Sequence, residues 1–389
     1  MAEWRRQDSE RSEDDAVSLD RARGAAAAAG VTRLADITRL DRIGVPVFQA
    51  VRPWGRALSV HQGKGIDVEA AQIGALMEAV ESHHAEAPNL PVISRAFDDL
   101  PVDERARHIS DFAVAREVAP STRERLDWVA ARRIRDGGVL WVPFEVVSLD
   151  FRGRGDARWL RSSNGLGAHW DLQRATLKGL LEVVERDAEA IWRGRPSFVR
   201  TLDRLDLQTV PIDAVADIGR RVAAAGLTMA VYHLTTVIGL PAFVAEIIDR
   251  DGVAGAPRSV YGAACDSKPH HAIVGAVLEA VQSRATMIAG VRDDIGFDPP
   301  ASGQTGFEGF GLPLPPNLAP KTWGAVTRSA SHGRASSASR IARMLARAGY
   351  DDAAVVDLSR PGGEVVVVKV LVPGLACRDC ARRDWDLAS

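Results

Sequence analysis

Three stretches of this chain repeat one arrangement of acids. Glu78 and Glu81 stand in ALMEAVESHHAE, Glu182 and Glu185 in GLLEVVERDA, and Glu279 with Gln282 in AVLEAVQSR. Each pair is spaced i, i+3, which on a helix sets two acceptor groups side by side on one face. Small or aliphatic residues flank every pair, so the face around it should be at least partly buried. Buried carboxylates without partners are costly, and like charges nearby raise the cost. A cation cluster relieves both, and hard oxygen donors of this kind suit Mg2+, which commonly bridges to substrate phosphates. On pattern alone two readings stay open: solvated charged faces, or a polycarboxylate magnesium–nucleotide site.

The elements that must carry these residues follow from periodicity. Ile73, Leu76, Met77 and Val80 recur at spacings of three and four, which predicts a helix from about Val68 to Glu86, just after the turn Gly63-Lys64-Gly65. Two further long helices are expected near 172–192 and 269–288, and shorter ones over 200–225 and 337–348. Strands are expected in VPVFQAVR, ALSV, GVLWVPFEVVSLD (Gly138–Asp150), LTMAVYHLTT, LPAFVAEIID, AAVVDLS and GEVVVVKVLVP. Residues 87–120 read as irregular. The segment 295–325, with LPLPP at Leu312–Pro316, reads as a loop or lid, because proline forbids regular ladders. Residues 1–30 read as a frayed lead or short peripheral helix outside the core. Strands and helices mingle without a strict βαβ rhythm, which favours a mixed α/β (α+β) fold over a doubly wound sheet.

Composition narrows the function classes. The chain has 389 residues, 46% hydrophobic and 26% charged, which excludes wholesale disorder and fibrous repeats. Lys and Arg number 49 against 51 Asp and Glu, so no broad electrostatic surface for nucleic acid is expected. No window approaches 18 uninterrupted apolar residues, so no membrane span is expected. Arg5, Arg6, Glu10, Glu13, Asp14 and Asp15 are the wrong chemistry for a signal peptide, and three cysteines make no disulfide framework. A reducing, cytoplasmic setting is the expectation. Only five of the basic residues are lysines, which singles out Lys64, Lys178, Lys268, Lys321 and Lys369.

In their order and separation, QGKG…AQIGALMEAVESHHAE, SSNGLGAHW…ATLKGLLEVVERDA and VLEAVQSRATMIAGVRDD resemble the three nucleotide-binding motifs of the YcaO family. The resemblance covers about residues 34–375. The His-Ala-Glu after the first pair, Arg292-Asp293-Asp294 and the closing Val372–Leu375 are most similar to the branch encoded beside TfuA proteins. It implies one large YcaO-type domain over 31–375, with the nucleotide site between acidic helices and ATP and Mg2+ as cofactors. It also implies an enzyme in which a nucleophile adds to a peptide amide and ATP phosphorylates the resulting oxyanion. Sulfide would then give a thioamide; a neighbouring Cys, Ser or Thr side chain would give an azoline. By position, Glu78, Glu81, Glu182, Glu185 and Glu279 would hold Mg2+ or its water. Gln282 would contact nucleotide or metal, and Lys64, Arg186 and, more weakly, Arg284 would contact phosphate. The resemblance also tilts Asn164 towards the site. The implied partners are a ribosomally made precursor peptide, a TfuA-like protein delivering sulfide and a separate leader-peptide-binding protein, and a homodimer is compatible with the resemblance.

The chain departs from the family pattern at Gly74, at His169, Trp170 and Arg174 before the second pair, and at Gly275. Arg174 in a carboxylate's place removes one metal ligand and could itself neutralise phosphate. These departures motivate a rival expectation, a degenerate subunit that binds peptide or partner without catalysis. Cys377 and Cys380 lie in the C-terminal tail, 376–389, and supply half a tetrahedral zinc site at most. They read as a reduced tail, or as a thiol pair able to pass a persulfide. The adjacent His83-His84 and His270-His271 point about 100° apart on a helix and read as capping or core-edge residues. Trp141, Trp192 and Trp323 read as packing.

Overall fold

A computed structural model describes residues 18–112, 119–152, 155–250, 259–290, 318–329 and 337–375. Helix α1 (Leu19–Ala28) leads into β1 (Arg33–Asp36), β2 (Val47–Val51), β3 (Val60–Lys64) and the first acidic helix, α2 (Val68–Ala85). Then come β4 (Ile93–Ala96), β5 (Arg125–Arg133), β6 (Val139–Pro143), β7 (Leu166–His169) and the second acidic helix, α3 (Leu172–Gly194). Helix α4 (Asp213–Ala224), β8 (Thr228–His233), β9 (Ala242–Ile248) and β10 (Ser259–Cys265) precede the third acidic helix, α5 (Pro269–Ala289). Helices α6 (Trp323–Ser329) and α7 (Ala338–Arg347) and strands β11 (Ala354–Asp357) and β12 (Val366–Leu371) follow.

The starts of the acidic helices are written locally. Asp67 and Asp171 accept the backbone N–H groups of Ala70 and Arg174 at 2.8 and 2.9 Å, each satisfying an orphan donor of a first turn. Helix α5 opens with Pro269 at a position that needs no N–H, and Gly290 (φ 62°) closes it in the left-handed conformation.

Tertiary contacts divide the chain into two compact units. The first (1–54, 58–80 and 191–335) holds the antiparallel sheet β1-β2-β3 and the antiparallel sheet β10-β9-β8. Its core packs α4 and α5 against Val231, Phe243, Ala245, Ile247 and Val260 of the second sheet. Helix α5 is long and apolar enough to cross a membrane, with a mean hydropathy of 1.3, but Ala272, Ile273, Ala276, Val277 and Ala280 are fully buried in this core. The second unit (55–57, 81–190 and 336–389) holds a six-stranded antiparallel sheet in the order β4-β5-β11-β12-β7, with β6 also on β5. The division falls inside α2, after Val80, and inside α3, after Ala190.

Helices, antiparallel sheets and the absence of a βαβ rhythm fit the mixed class expected. Several boundaries differ. The strand expected over Gly138–Asp150 ends at Pro143, whose φ of −61° leads into a helical turn, Phe144–Val147. Lys64 ends a strand instead of sitting in a glycine turn, because Gln62, Gly63 and Lys64 pair with Gln49, Phe48 and Val47. The lead contributes to the core through Ala22 and Ala26 of α1, both buried. Residues 295–317 of the expected lid, Arg292-Asp293-Asp294 and the two tail cysteines lie outside the described residues. From 318 the lid is described, and there Lys321 pairs its backbone with Arg204 and Asp206 before helix α6 begins at Trp323, in place of the loop expected to 325.

Candidate active site

In the first unit the acids gather around β3. Gly63 makes this possible: a Cβ there would lie 2.1 Å from Ala71 O and Ala75 N of α2, so strand and helix backbones touch directly. One residue before it, Gln62 gives its backbone N–H to Glu78 Oε2 at 3.1 Å. One residue after it, Lys64 Nζ donates to Glu279 Oε2 at 2.9 Å, with both side chains partly buried. Glu279 is placed by the same device on α5, where a Cβ on Gly262 of β10 would lie 2.2 Å from Ala280 N. Gln282 follows Glu279 at i+3 on α5 and is half-buried. Arg284 is engaged elsewhere: Asp41 and Asp249 accept from its guanidinium at 3.1 and 3.2 Å, which ties it into the fold of this unit.

In the second unit the acids gather around β7, and the device recurs. A Cβ on Gly167 would lie 2.2 Å from Ala175 O of α3. Buried Glu81, from the last turns of α2, accepts the Ala168 N–H at 2.8 Å and the Lys178 ammonium at 2.6 Å. One turn beyond Lys178, Glu182 keeps part of its surface accessible, yet burial pushes its carboxyl up from the ordinary range. Arg186 pulls it back down most, and the Glu81 charge adds to the rise. Arg186 spans Glu185 at 3.4 Å and fully buried Glu189 at 3.2 Å. Lys369, at the centre of β12 and 1% exposed, donates to Ser162 O at 2.5 Å. Burial pulls its pKa down to about 8, against the opposing charge of Glu182.

Glu81, Glu182, Glu185 and Glu189 thus stand in one network with Lys178, Arg186 and Lys369 in this unit. Among the described residues no three Asp, Glu, His or Cys side chains form a ready cage for a metal ion. The cause is visible: Lys178 and a backbone N–H draw Glu81, and Lys64 draws Glu279, so the acids stand against cations and amides instead of one another. This donor set still fits Mg2+, which usually takes one or two carboxylates together with phosphates rather than an all-protein cage. A desolvated carboxylate such as Glu182, close to the charge of Glu81, is where a divalent cation gains most.

Of the expected site residues, the first unit joins Lys64 to Glu279 and sets Glu78 of α2 against the same strand. The second unit brings Glu81, Glu182, Glu185 and Arg186 into one network. Asn164 shares a cavity lining with Lys369 of that network. Lys178, Glu189 and Lys369 were not expected there. The scarcity of lysine points to two of them, since three of the five lysines serve these acids. His84 donates from Nδ1 to Leu358 O at 2.9 Å and is buried, as is Trp192, as expected of core-edge and packing residues.

Comparison with known proteins places the chain in a family. The family model for YcaO cyclodehydratase, ATP- and Mg2+-binding, matches residues 62–376. This chain belongs to the YcaO family. ATP and Mg2+ are the cofactors of this family, whose members are ATP-dependent cyclodehydratase-like enzymes. An uncharacterized protein of the tfuA 3′ region in Rhizobium leguminosarum bv. trifolii is 35% identical over 361 residues, covering 89% of this chain and 84% of the relative. An uncharacterized protein of Methanothermobacter thermautotrophicus is 29% identical over 360 residues, covering 89% and 90%. Among solved structures, YcaO from Methanopyrus kandleri, bound with AMPPCP and Mg2+, superposes with a TM-score of 0.63 at 22% identity, covering 92% of this chain and 90% of that one. A heterocyclase in complex with substrate and cofactor gives 0.73 at 18% identity; this chain spans 53% of its length. At these identities the structural matches show the fold.

Proposed function

We propose that this YcaO protein activates a peptide backbone amide for exchange of its oxygen for sulfur, with a TfuA-like partner delivering sulfide in the cytoplasm. The observation that carries the ATP-dependent part is the acid network on α3, in which the desolvated Glu182 stands near Glu81. Mg2+ would supply charge neutralisation of the phosphates there. Glu182 and Glu185 in the second unit, and Glu279 with Gln282 in the first, would each hold the ion or its water. Lys64 and Arg186 would give N–H donors to phosphate oxygens. In the reaction hydrosulfide adds to the amide carbonyl carbon, and the oxyanion takes the terminal phosphoryl group of ATP. The C–O bond then breaks, so thioamide, ADP and inorganic phosphate are formed and the amide oxygen leaves in the phosphate. The sulfur reading is supported by the relative from a tfuA region.

The experiment is mass spectrometry of a precursor peptide from the same gene neighbourhood, incubated with the protein, its TfuA-like partner, ATP, Mg2+ and sulfide. A gain of about 16 Da is expected from replacing oxygen by sulfur in this chemistry, and none is expected with Glu182→Gln. A loss of about 18 Da would instead assign azoline formation, the second reading, by the same phosphorylation route. Unchanged peptide together with unconsumed ATP would leave a non-catalytic binding subunit.

A further inference from the structure

Helix α3 carries its charges in order along one face. Arg174, Lys178 and Glu182 follow one another at i, i+4, and Glu185, Arg186 and Glu189 continue the stripe. It is cationic over the first two turns and mostly anionic beyond them. A rise of about 1.5 Å per residue sets Lys178 and Glu182 roughly 6 Å apart along the axis, and Lys178 and Glu185 roughly 10 Å. The cations of the network differ in what they can still reach. Lys369 is buried and donates to Ser162 O. Arg186 is held between Glu185 and Glu189. Lys178 keeps 51% of its side chain exposed, while Glu81, 8% exposed, fixes its ammonium at 2.6 Å. That ammonium and the Ala168 N–H both go to Glu81 Oε1, which leaves Oε2 without a hydrogen bond.

A stripe of this order suits a ligand that is negative at one end and carries a cation at the other. A lone anion would meet Glu182 and Glu185, and a lone cation would meet Arg174 and Lys178. A metal-bound phosphate answers both, because its oxygens take ammonium donors while its metal takes carboxylates. An ammonium serves phosphate as a compact point charge with three N–H donors, so one donor on Glu81 does not exhaust it. We propose that Lys178 is a phosphate-binding residue of this site, anchored by Glu81 Oε1 and donating to a phosphate oxygen of Mg2+-bound ATP. The assignment rests on the ATP-dependent reading above and deepens it. It supplies in the second unit a phosphate donor that is not already shared between two acids, as Arg186 is. Glu81 is then double-faced, with one oxygen on the lysine and the other left for the metal or its water.

Labelling of the full chain with an acyl phosphate of ATP, in the presence of Mg2+, tests the contact directly. The acyl group passes to an amine lying beside the phosphates: an amide C–N bond forms, the acyl C–O bond breaks, the amine loses a proton and ATP leaves. The chain has five lysines, so peptide mass spectrometry assigns the label. It is expected on Lys178 and should disappear when Mg2+–ATP is in excess. Lys178→Met should weaken binding of Mg2+–AMPPCP by about tenfold or more, the worth of a charge-assisted hydrogen bond, whereas Lys178→Arg should stay within about threefold. Melting curves check that the variants fold; if Lys178→Met does not, because Glu81 has lost its cation, the labelling decides. A protectable label that falls on other lysines and passes over Lys178 overturns the proposal. So does Mg2+–AMPPCP binding that is unchanged or tighter in Lys178→Met, the mark of a cation that only neutralises Glu81 and competes with the metal. Binding of Mg2+–ATP is followed separately by thermal shift. A chain that shows neither shift nor label defeats the ATP-dependent reading itself, and one that shifts without labelling Lys178 defeats this assignment alone. Labelled Lys178 with a precursor peptide of unchanged mass keeps the assignment and defeats the sulfur reading.

Discussion

Glu182 stands where burial resists its ionisation while Arg186, Lys178 and Lys369 favour it, and burial wins. A carboxyl whose folded pKa lies above its unfolded value binds more protons folded than unfolded as pH rises past the ordinary carboxylate range. Stability therefore falls through that window and stays lowered above it. Without Mg2+ at pH 7, Glu182→Gln should melt at or above the temperature of the natural chain, and the difference should vanish in acid, where both are neutral. With Mg2+–ATP the order should reverse, and thermal melts at the two pH values check both signs. His233 gives the opposite slope. Burial and the charge of Lys321 hold it down to about 4, and its Nε2 is buried without a partner. Held neutral, it contributes fully above its ordinary pKa, and that contribution is lost as pH falls from about 6.5 towards 4, by at most ~3 kcal/mol. Urea melts of His233→Phe should show a flatter pH dependence in that window. At this scale the carboxylate pairs were legible, because i, i+3 spacing is written in one dimension. Lys369 and Glu189 were not, since nothing nearby in sequence announces that a β12 lysine faces an α3 acid.

The three acidic helices each lie against a strand glycine: Gly63 under α2, Gly167 under α3, Gly262 under α5. The contact is backbone to backbone, so an added methyl has no flexible side chain to push aside. Gly167→Ala and Gly262→Ala should each cost about 1–3 kcal/mol by forcing helix and strand apart, and more if the backbones cannot separate. Denaturant melts measure the cost. An exposed control such as Gly194→Ala, with nothing within 4 Å of an added Cβ, should lose no stability. The same glycines explain what sequence pattern missed. Strands announce themselves by alternating, β-branched and aromatic residues. LGAH in β7 and the glycine- and alanine-rich β10 carry small residues where the helices press, so their signal is erased by the packing they permit. The acidic helices were legible because their aliphatic faces are long and continuous. Strand β5 was missed for another reason: RLDWVAARR spreads four charges along one strand, which reads as loop until its antiparallel partners β4, β6 and β11 are known.

Across the molecule, 49 basic and 51 acidic side chains nearly cancel, yet the cancellation is uneven. The second unit gathers Glu81, Glu182, Glu185 and Glu189 into one network, while the first unit sets Glu78 and Glu279 against β3. Sequence expects one domain over 31–375; contacts divide that span into two units, and the family match runs through both. A local excess of negative charge inside a near-neutral chain makes stability sensitive to a cation rather than to general salt. A ligand bound by the folded state alone adds RT ln(1 + [L]/Kd), about 2.7 kcal/mol at a hundredfold excess over Kd. In a chain of this length that corresponds to a rise in Tm of roughly 3 °C. The rise should require Mg2+ and ATP together: ATP alone brings more negative charge to clustered carboxylates, and Mg2+ alone lacks the phosphate oxygens that complete its shell. Differential scanning fluorimetry with each component, both, and both plus EDTA separates these cases. An equal rise with sodium chloride at the same ionic strength would mean that screening, and not a bound ion, relieves the acids.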